Sequence, residues 1–391
     1  MVAAYKRPGA AIDATFLQQA EALYRLYRHL LRERSRQSPG SKGNAIIHLA
    51  LRPLARLVRA WGPTRTYGPA VARVAGMPLW LQFVQQWLLA MRFDFSSDTY
   101  YRYRLYQLDH IGEAILFFPS NVYMALRKHL YEHMNVDVAQ FDDKRVVYRS
   151  CAKHGLPVPV TVAEVVGGVA RAWGDGGDRV VLPRCDLFSK PADALGGKGA
   201  ARWIWQGRGC YCGENGEMLT GDELLERLAA LSRSAPYILQ ERLTNHPAIA
   251  TLGPNALCTA RVVTCRDING SPQHLISIFR MPRASASAST DNFSGGGFAS
   301  PIDHASGTLG NAVRMDLHDA AVDCLEYPDS KRPFTSFCLP HWDAALELCL
   351  RAHRVFPEFP SVGWDVAITP DGPILVEGNH DWGGQLAQQP G

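Results

Sequence analysis

Residues 363–379 read Gly-Trp-Asp-Val-Ala-Ile-Thr-Pro-Asp-Gly-Pro-Ile-Leu-Val-Glu-Gly-Asn. Stretches 362–369 and 374–378 are rich in β-formers, and Pro370-Asp371-Gly372 supplies the turn between them. A hairpin folded there sets Asp365 beside Glu377 and Asn379. Glu377 and Asn379 are two positions apart, so both side chains leave the same face. Two carboxylates and an amide oxygen are hard donors that suit Mg²⁺ held together with substrate phosphates. The competing reading is a plain surface hairpin. Apolar residues flanking the polar triad on both strands speak against it.

A second group of residues lies upstream, in Phe188-Ser-Lys190-Pro-Ala-Asp-Ala-Leu-Gly196-Gly197-Lys198-Gly199. A strand delivers a lysine and a glycine-rich turn follows. Glycines let backbone N–H groups approach phosphate oxygens, and lysine adds a point charge. The Lys-Ser/Thr ending of a P-loop is missing, and so is the spacing of a dinucleotide fingerprint. Around these two groups the texture is mixed. Helices are expected over 143–154, 222–231 and 342–356, and strands over 158–166, 187–191 and 237–243. Stretches 201–206 and 209–213 read as a hairpin with its turn at 213–216. Strands 259–265 and 273–279 are joined by a turn containing Asn269-Gly270. Hairpins without regular βαβ repeats indicate an α+β fold.

Residues 1–135 read differently, with helical spacing over 12–34, 46–60, 79–91, 99–112 and 121–134 and no strand-rich unit. Charge is unevenly spread. Residues 1–73 carry 13 Lys and Arg against 3 Asp and Glu, residues 74–135 balance, and the remainder is acidic by 6. The arginine ladder Arg25, Arg28, Arg32 on the first helix is either a solvated face or a surface for RNA, anionic lipid head groups or an acidic substrate. With 391 residues there is room for two or three domains of ~150 residues. A hydrophobic fraction of 47% with 20% charged residues excludes wholesale disorder and a fibre. The longest uncharged apolar stretch, 77–91, contains Gln82, Gln85 and Gln86 and falls short of the ~20 residues of a membrane span. Lys6 and Arg7 lead into Pro8 and Gly9 rather than an apolar run, so no signal peptide and a cytoplasmic location are expected. Nine irregularly spaced cysteines, including the lone Cys210-Tyr-Cys212, are expected to be reduced and mostly buried.

Taken in order, Asp143-Lys144 opening a helix, Gly155-Leu-Pro-Val-Pro, Ser189-Lys190-Pro with its glycine loop, Gln240-Glu241-Arg-Leu243 and the Asp365…Glu377-x-Asn379 end resemble the ATP-grasp superfamily. Asn245-His246-Pro247, Arg261 within Cys258-Thr-Ala-Arg-Val-Val-Thr, Asp291-Asn292-Phe-Ser-Gly-Gly-Gly297 and Asn379-x-x-Trp382 narrow the resemblance to the sugar-transfer-associated ATP-grasp proteins. It covers roughly residues 90–391.

The resemblance implies two α+β subdomains clamping ATP over 136–391, behind a mostly helical basic region over 1–135. The lid subdomain would span about 158–240 and the metal-binding subdomain about 241–391. Lys144 and Lys190 match the lysines that grip the ATP phosphates. Gly196, Gly197 and Gly199 match the loop that closes over them, and Gln240, Glu241 and Leu243 match the strand that reads adenine. Asp365, Glu377 and Asn379 match the Mg²⁺ ligands. Arg261, Arg280 and Asn292 stand where residues act on the acyl phosphate and the acceptor. Thr290 replaces an arginine common in amino-acid ligases, with Arg280 or Arg283 as substitutes, and Tyr327-Pro-Asp stands where His-Pro-Asp is the pattern.

The implied activity is an ATP- and Mg²⁺-dependent ligation of a carboxylate to an amine carried by an amino acid, peptide or amino sugar. A phosphotransferase and a non-catalytic nucleotide- or RNA-binding protein remain alternatives. Loop 195–198 is expected to order on nucleotide binding. Replacing Asp365 or Glu377 by its amide is expected to spare the fold and stop turnover. His380 is kept as a possible acid or base, and the basic helices as a surface for an acidic or polyanionic acceptor. Oligomeric state is not legible.

Overall fold

The computed structural model describes residues 14–37, 42–107, 111–174, 177, 179–194, 198–252, 256–282, 297–314, 322–328, 330–384 and 388. Two compact units form. One comprises Met1–Val136, Val313–Cys324 and Gly383–Gly391, the other Asp137–Ala312 and Leu325–Trp382.

The first unit is helical, with α1 (Ala14–Gln37), α2 (Lys42–Ala75), α3 (Leu79–Phe93), α4 (Ser97–Arg102) and α5 (Ser120–Met134). Its core is aromatic, built from Tyr24, Tyr27, Phe93, Phe95, Tyr100 and Tyr101. The hydroxyls find partners inside it: Tyr24 donates to the Phe117 carbonyl at 2.6 Å and Tyr27 to Asp94 Oδ2 at 2.8 Å. Helix α2 is longer than the expected 46–60 and runs through Pro53, Pro63 and Pro69. A proline removes one helical bond and crowds the preceding turn. Packing against α3 holds α2 together past them, with Gln82 Nε2 donating to the Gly68 carbonyl at 3.1 Å and Gln86 Nε2 to Thr64 Oγ1 at 2.7 Å. The helix expected over 99–112 ends instead at Arg102. Tyr103 caps it, Arg104 adopts a positive φ of 51°, and two 3₁₀ turns follow.

The second unit opens with α6 (Ala139–Asp142) and α7 (Lys144–Lys153), where Asp143 caps α7 by accepting from the Arg145 N–H at 2.8 Å. Its first sheet contains β1 (Thr161–Val166), β2 (Val169–Ala172), β3 (Leu187–Pro191), β4 (Ala201–Gly207), β5 (Cys210–Cys212), β6 (Met218–Thr220) and, after α8 (Gly221–Leu231), β7 (Tyr237–Glu241). The order is β2-β1-β7-β3-β4-β5-β6. The turn of the β4–β5 hairpin is Gly207-Arg208-Gly209, all three at positive φ, while 213–216 turns β5 into β6. Two glycines bracketing one residue supply the left-handed conformations that this tight turn requires. One face packs Leu187, Trp203, Leu239, Leu224 and Leu228 into a core under α8. The alternate residues Phe188 and Lys190 face the other way.

Helix α9 (Pro247–Ala250), β8 (Thr259–Arg266), β9 (Pro272–Met281), β10 (Phe298–Pro301), β11 (Ala312–Arg314), β12 (Val322–Cys324), α10 (Trp342–Val355), β13 (Ser361–Thr369) and β14 (Gly372–Asn379) complete the chain. Within the second unit five strands run β10-β9-β8-β13-β14, every neighbour antiparallel. The short strands β2, β6, β10, β11 and β12 had no clear sequence signal. Cys151, Cys258 and Cys349 are buried, but Cys338 is exposed and the other cysteines are half-buried, so mostly buried was too strong.

Behind the sheet, α10 buries His353 in a directed chain of hydrogen bonds. His353 Nε2 must donate to the Phe359 carbonyl at 2.9 Å, so Nδ1 accepts, at 2.7 Å, from the Thr264 hydroxyl. Thr264 in turn accepts from Trp364 Nε1 at 2.9 Å. Desolvation by burial lowers the pKa of His353 and the Arg266 charge adds to it, against the hydrogen bond to the Phe359 carbonyl, so the ring is neutral at pH 7.5. His274, half-buried and stacked on His304 at 4.4 Å, is lowered to about 4 by desolvation and its neighbour. A histidine depressed in the folded state gives stability that is present above its unfolded value of about 6.5 and is lost as pH falls toward the folded value. Urea unfolding is therefore expected to show a lower midpoint at pH 5 than at pH 7.5. Thr264→Val keeps the shape and removes both bonds; it is expected to cost about 1–3 kcal/mol at pH 7.5. An unchanged midpoint in that variant would show the chain to be energetically idle.

Candidate active site

Register gathers the site. Asp365 on β13 sits opposite Glu377 on β14 and opposite Arg261 on β8, and Gly363 sits opposite Asn379. On β9, Arg280 lies across from Thr259, two positions from Arg261, and so shares its face. The Asp365 carboxylate is 6% exposed and clamped from two strands. Arg261 Nη2 donates to Oδ2 at 2.8 Å and Nε donates to Oδ1, while Arg280 Nη1 reaches Oδ2 at 2.9 Å. Burial by itself would raise the Asp365 pKa. The two guanidinium groups overcome it and hold the carboxyl at about 2. Arg261 also donates to the Trp382 carbonyl at 3.1 Å. Gly363 makes room for this: a Cβ there would lie 2.3 Å from Trp382 Cβ and 3.1 Å from Arg261 Cδ.

Glu377 is held differently. Lys144, the first residue of α7, places Nζ 3.2 Å from Glu377 Oε1 and donates to the Ala194 carbonyl at 2.7 Å. Its own backbone N–H bonds the Ala192 carbonyl at 3.0 Å. Lys190 arrives from β3 and donates to the Tyr148 hydroxyl at 2.8 Å. Desolvation lowers the Lys190 pKa, against the fields of Glu377 and Asp365 that raise it. Tyr148 donates to the Val376 carbonyl at 2.5 Å. That carbonyl is presented by a bulge: Asp365 pairs Glu377 and Val366 pairs Leu375, which leaves Val376 without a partner in register. Four cationic side chains, Lys144, Lys190, Arg261 and Arg280, thus converge on two carboxylates. The excess of positive charge suits a polyphosphate anion.

Asn379 Nδ2 donates to the Gly363 carbonyl at 3.4 Å, which turns the amide oxygen to the opposite side. With Glu377 half-buried and Asp365 adjacent, the donor set is all oxygen and fits a hard divalent cation.

These strands and side chains match a family profile described as sugar-transfer associated ATP-grasp over residues 125–391. The chain belongs to the sugar-transfer associated ATP-grasp family. No curated protein is similar enough in sequence to count as a match. Among solved structures, this ATP-grasp chain is similar to an L-amino acid ligase from Bacillus licheniformis at 12% identity and TM-score 0.35, covering 66% of this chain and 46% of that one. It is also similar to a D-alanine–D-alanine ligase from Bacillus anthracis complexed with ATP, at 10% identity and TM-score 0.30, covering 61% and 54%. A D-alanyl-alanine synthetase A from Vibrio cholerae follows at 8% identity and TM-score 0.34, covering 62% and 56%. The chain spans about half the length of these structures. Likeness this loose carries no weight, and membership rests on the profile.

Of the remaining positions expected from the resemblance, those described lie on or beside the first sheet. Gln240 is buried on β7 and donates to Thr161 Oγ1 at 3.0 Å, Glu241 ends the strand, and Leu243 follows it. The Glu241 N–H is taken by the Val160 carbonyl at 2.9 Å. Gly199 has a positive φ of 76° and lies against Pro191 and Tyr237. Gly196, Gly197, Asn292, Thr290 and Arg283 lie outside the described residues, as does most of the 195–198 loop. His380 bonds Asp142 at 3.3 Å. Tyr148 escaped the sequence reading. Its signal was its position one helical turn after Lys144, on the same face of α7.

The clamp also corrects one expectation. Asp365→Asn cannot be structurally silent, because it strands two buried guanidinium groups. It is expected to cost about 3–5 kcal/mol of stability. Glu377→Gln, on a side chain 26% exposed, is expected to cost less than about 1 kcal/mol. Thermal and urea unfolding of both variants measure this, and equal losses would refute the clamp.

Proposed function

We propose that this protein is an ATP- and Mg²⁺-dependent ligase that joins a carboxylate to an amine through an acyl phosphate. The observation that carries the proposal is the meeting of the Asp365–Glu377 pair with two lysines delivered from separate elements, α7 and β3. In this reading Lys144 and Lys190 bind the triphosphate, helped by the backbone of the glycine loop at Gly196, Gly197 and Gly199. Gln240, Glu241 and Leu243 line the adenine site. Asp365, Glu377 and Asn379 would hold Mg²⁺, which would supply charge neutralisation for phosphoryl transfer.

A substrate carboxylate oxygen attacks the γ-phosphorus, and the bond to the β-phosphate oxygen breaks to release ADP. Phosphorylation converts a poor leaving group into a good one. An amine nitrogen then attacks the acyl carbon, phosphate departs, and the nitrogen loses a proton. Arg261 balances the negative charge that builds on the acyl phosphate, with Arg280 or Asn292 on the acceptor side. Both arginines are already fixed by Asp365, so little reorganisation is needed at the moment of transfer.

The test is ATP turnover with panels of carboxylates and of amines drawn from amino acids, peptides and amino sugars, with and without hydroxylamine. Carboxylate-dependent ADP release, a hydroxamate in the presence of hydroxylamine and a condensed product by mass are expected. Glu377→Gln is expected to lower turnover by at least about 10²-fold while the protein stays folded. A stable phosphorylated product would assign a phosphotransferase instead. ATP binding without turnover on any panel would assign a binding protein.

A further inference from the structure

Helix α3 leaves an apolar stripe in water. It buries Gln82, Gln86, Leu89, Ala90 and Phe93, while Trp80, Val84, Leu88 and Met91 are exposed. Their spacing of four, four and three residues makes one stripe. Gln82 is well bonded inside: its Nε2 also donates to the Met77 carbonyl at 2.8 Å, and its Oε1 accepts from the Tyr101 hydroxyl at 3.0 Å. Helix α2 leaves a second stripe at Leu54, Leu57, Val58 and Trp61, spaced i, i+3, i+4 and i+7, all exposed. The two helices run antiparallel, with the Trp61 and Phe83 rings 6.2 Å apart and Trp87 Nε1 donating to the Pro53 carbonyl at 3.2 Å. The two stripes therefore adjoin as one apolar face. Trp61 is 64% exposed and Trp80 67% exposed. Soluble monomers rarely leave a contiguous apolar face of this kind in water.

Charge says what covers it. Residues 34–93 contain nine Lys and Arg and not one Asp or Glu. Arg56 is consumed by Asp94. Arg59, Arg65 and Arg92 are exposed on the same two helices. An apolar face with tryptophans, on two helices whose only charged residues are cations, is complementary to an anionic lipid surface: the rings enter the head-group region and the guanidinium groups pair with phosphates. No helix among the described residues is long and apolar enough to cross a membrane. We infer that α2 and α3 form an interfacial hairpin that docks this protein, lying flat, on an anionic membrane. The inference stands apart from the ligase reading, since none of its residues belongs to the ATP site.

Vesicle flotation of the full chain tests it, with phosphatidylcholine alone and with phosphatidylglycerol added. Binding is expected only to the anionic vesicles at low salt and is expected to fall steeply near 1 M salt, where the screening length is ~3 Å. Trp61→Ser with Trp80→Ser, and separately Arg59→Glu with Arg65→Glu, are each expected to weaken binding about tenfold or more. All four side chains are exposed, so the fold is expected to survive, and circular dichroism checks it. Failure of the wild-type chain to float with anionic vesicles overturns the inference. So does equal binding to neutral vesicles, or binding indifferent to both double variants. A self-associated species by light scattering that the tryptophan variant dissociates, with no flotation, would assign the face to a second copy. Flotation needs no turnover, so its outcome is independent of whether the ligase assay succeeds.

Discussion

A carboxylate buried between two arginines sets the terms for the second unit. Removing three charged groups from water costs several kcal/mol for each ion, and only good geometry recovers it. Arg261, Asp365 and Arg280 come from three consecutive strands, β8, β13 and β9, so the clamp closes only if the register of both strand pairs is correct. A slip of one residue would turn Asp365 toward α10 and Trp364 toward the arginines. The glycines follow from the same constraint. At Gly378 a Cβ would stand 2.5 Å from Phe141 Cε1 and 2.8 Å from Trp364 Cζ3, so the strand can approach α6 and its aromatic cluster only without a side chain.

The second dependence runs between the sheets. Val376 is left over by the bulge, its carbonyl takes Tyr148, and Tyr148 takes Lys190 from β3. One irregular residue in a hairpin thereby anchors a cation that belongs to the other sheet. Lys144 completes the link by bonding Glu377 on one side and the Ala194 carbonyl on the other. Without ligand, the lysines of this site rest on a tyrosine, a carbonyl and a carboxylate. In the ligase reading a triphosphate competes for those same donors, which makes binding sensitive to how the two sheets approach each other.

Much of this was legible because it is local. The turn at 370–372 and the shared face of Glu377 and Asn379 are written in the sequence, but unbroken register from that turn would set Val376, not Glu377, opposite Asp365. Helix α7 announced its cap at Asp143, and β3 was read to the residue. What escaped depends on distant partners. The bulge at Val376 has no signature in the strand itself. Arg261 and Arg280 are 104 and 85 positions from Asp365, so nothing nearby shows that a metal-ligand candidate is also the anchor of an ion-pair network. Nor could local propensity carry α2 through three prolines, since the side chains that pack and bond against it there come from α3.

The glutamines of α3 show why composition alone misleads. Stretch 77–91 is apolar enough to suggest a core helix, and the natural expectation sends its tryptophans inward. Trp80 is exposed instead and Trp87 only half-buried, and the interior beside them is filled by tyrosines. Tyr100 and Tyr101 each bring a hydroxyl that must be paired when buried. Gln85 accepts from Tyr100 at 2.6 Å, and Gln82 accepts from Tyr101 at 3.0 Å. An amide offers an acceptor to the hydroxyl and donors to the carbonyls of α2 at once. A leucine at position 82 would leave the Gly68 and Met77 carbonyls and a tyrosine hydroxyl unmet, at about 1–3 kcal/mol apiece. The inner face of α3 thus mixes amides with Leu89 and Phe93, and with Gln82 and Gln86 occupying core positions, Trp80, Val84 and Leu88 stay on the outer face.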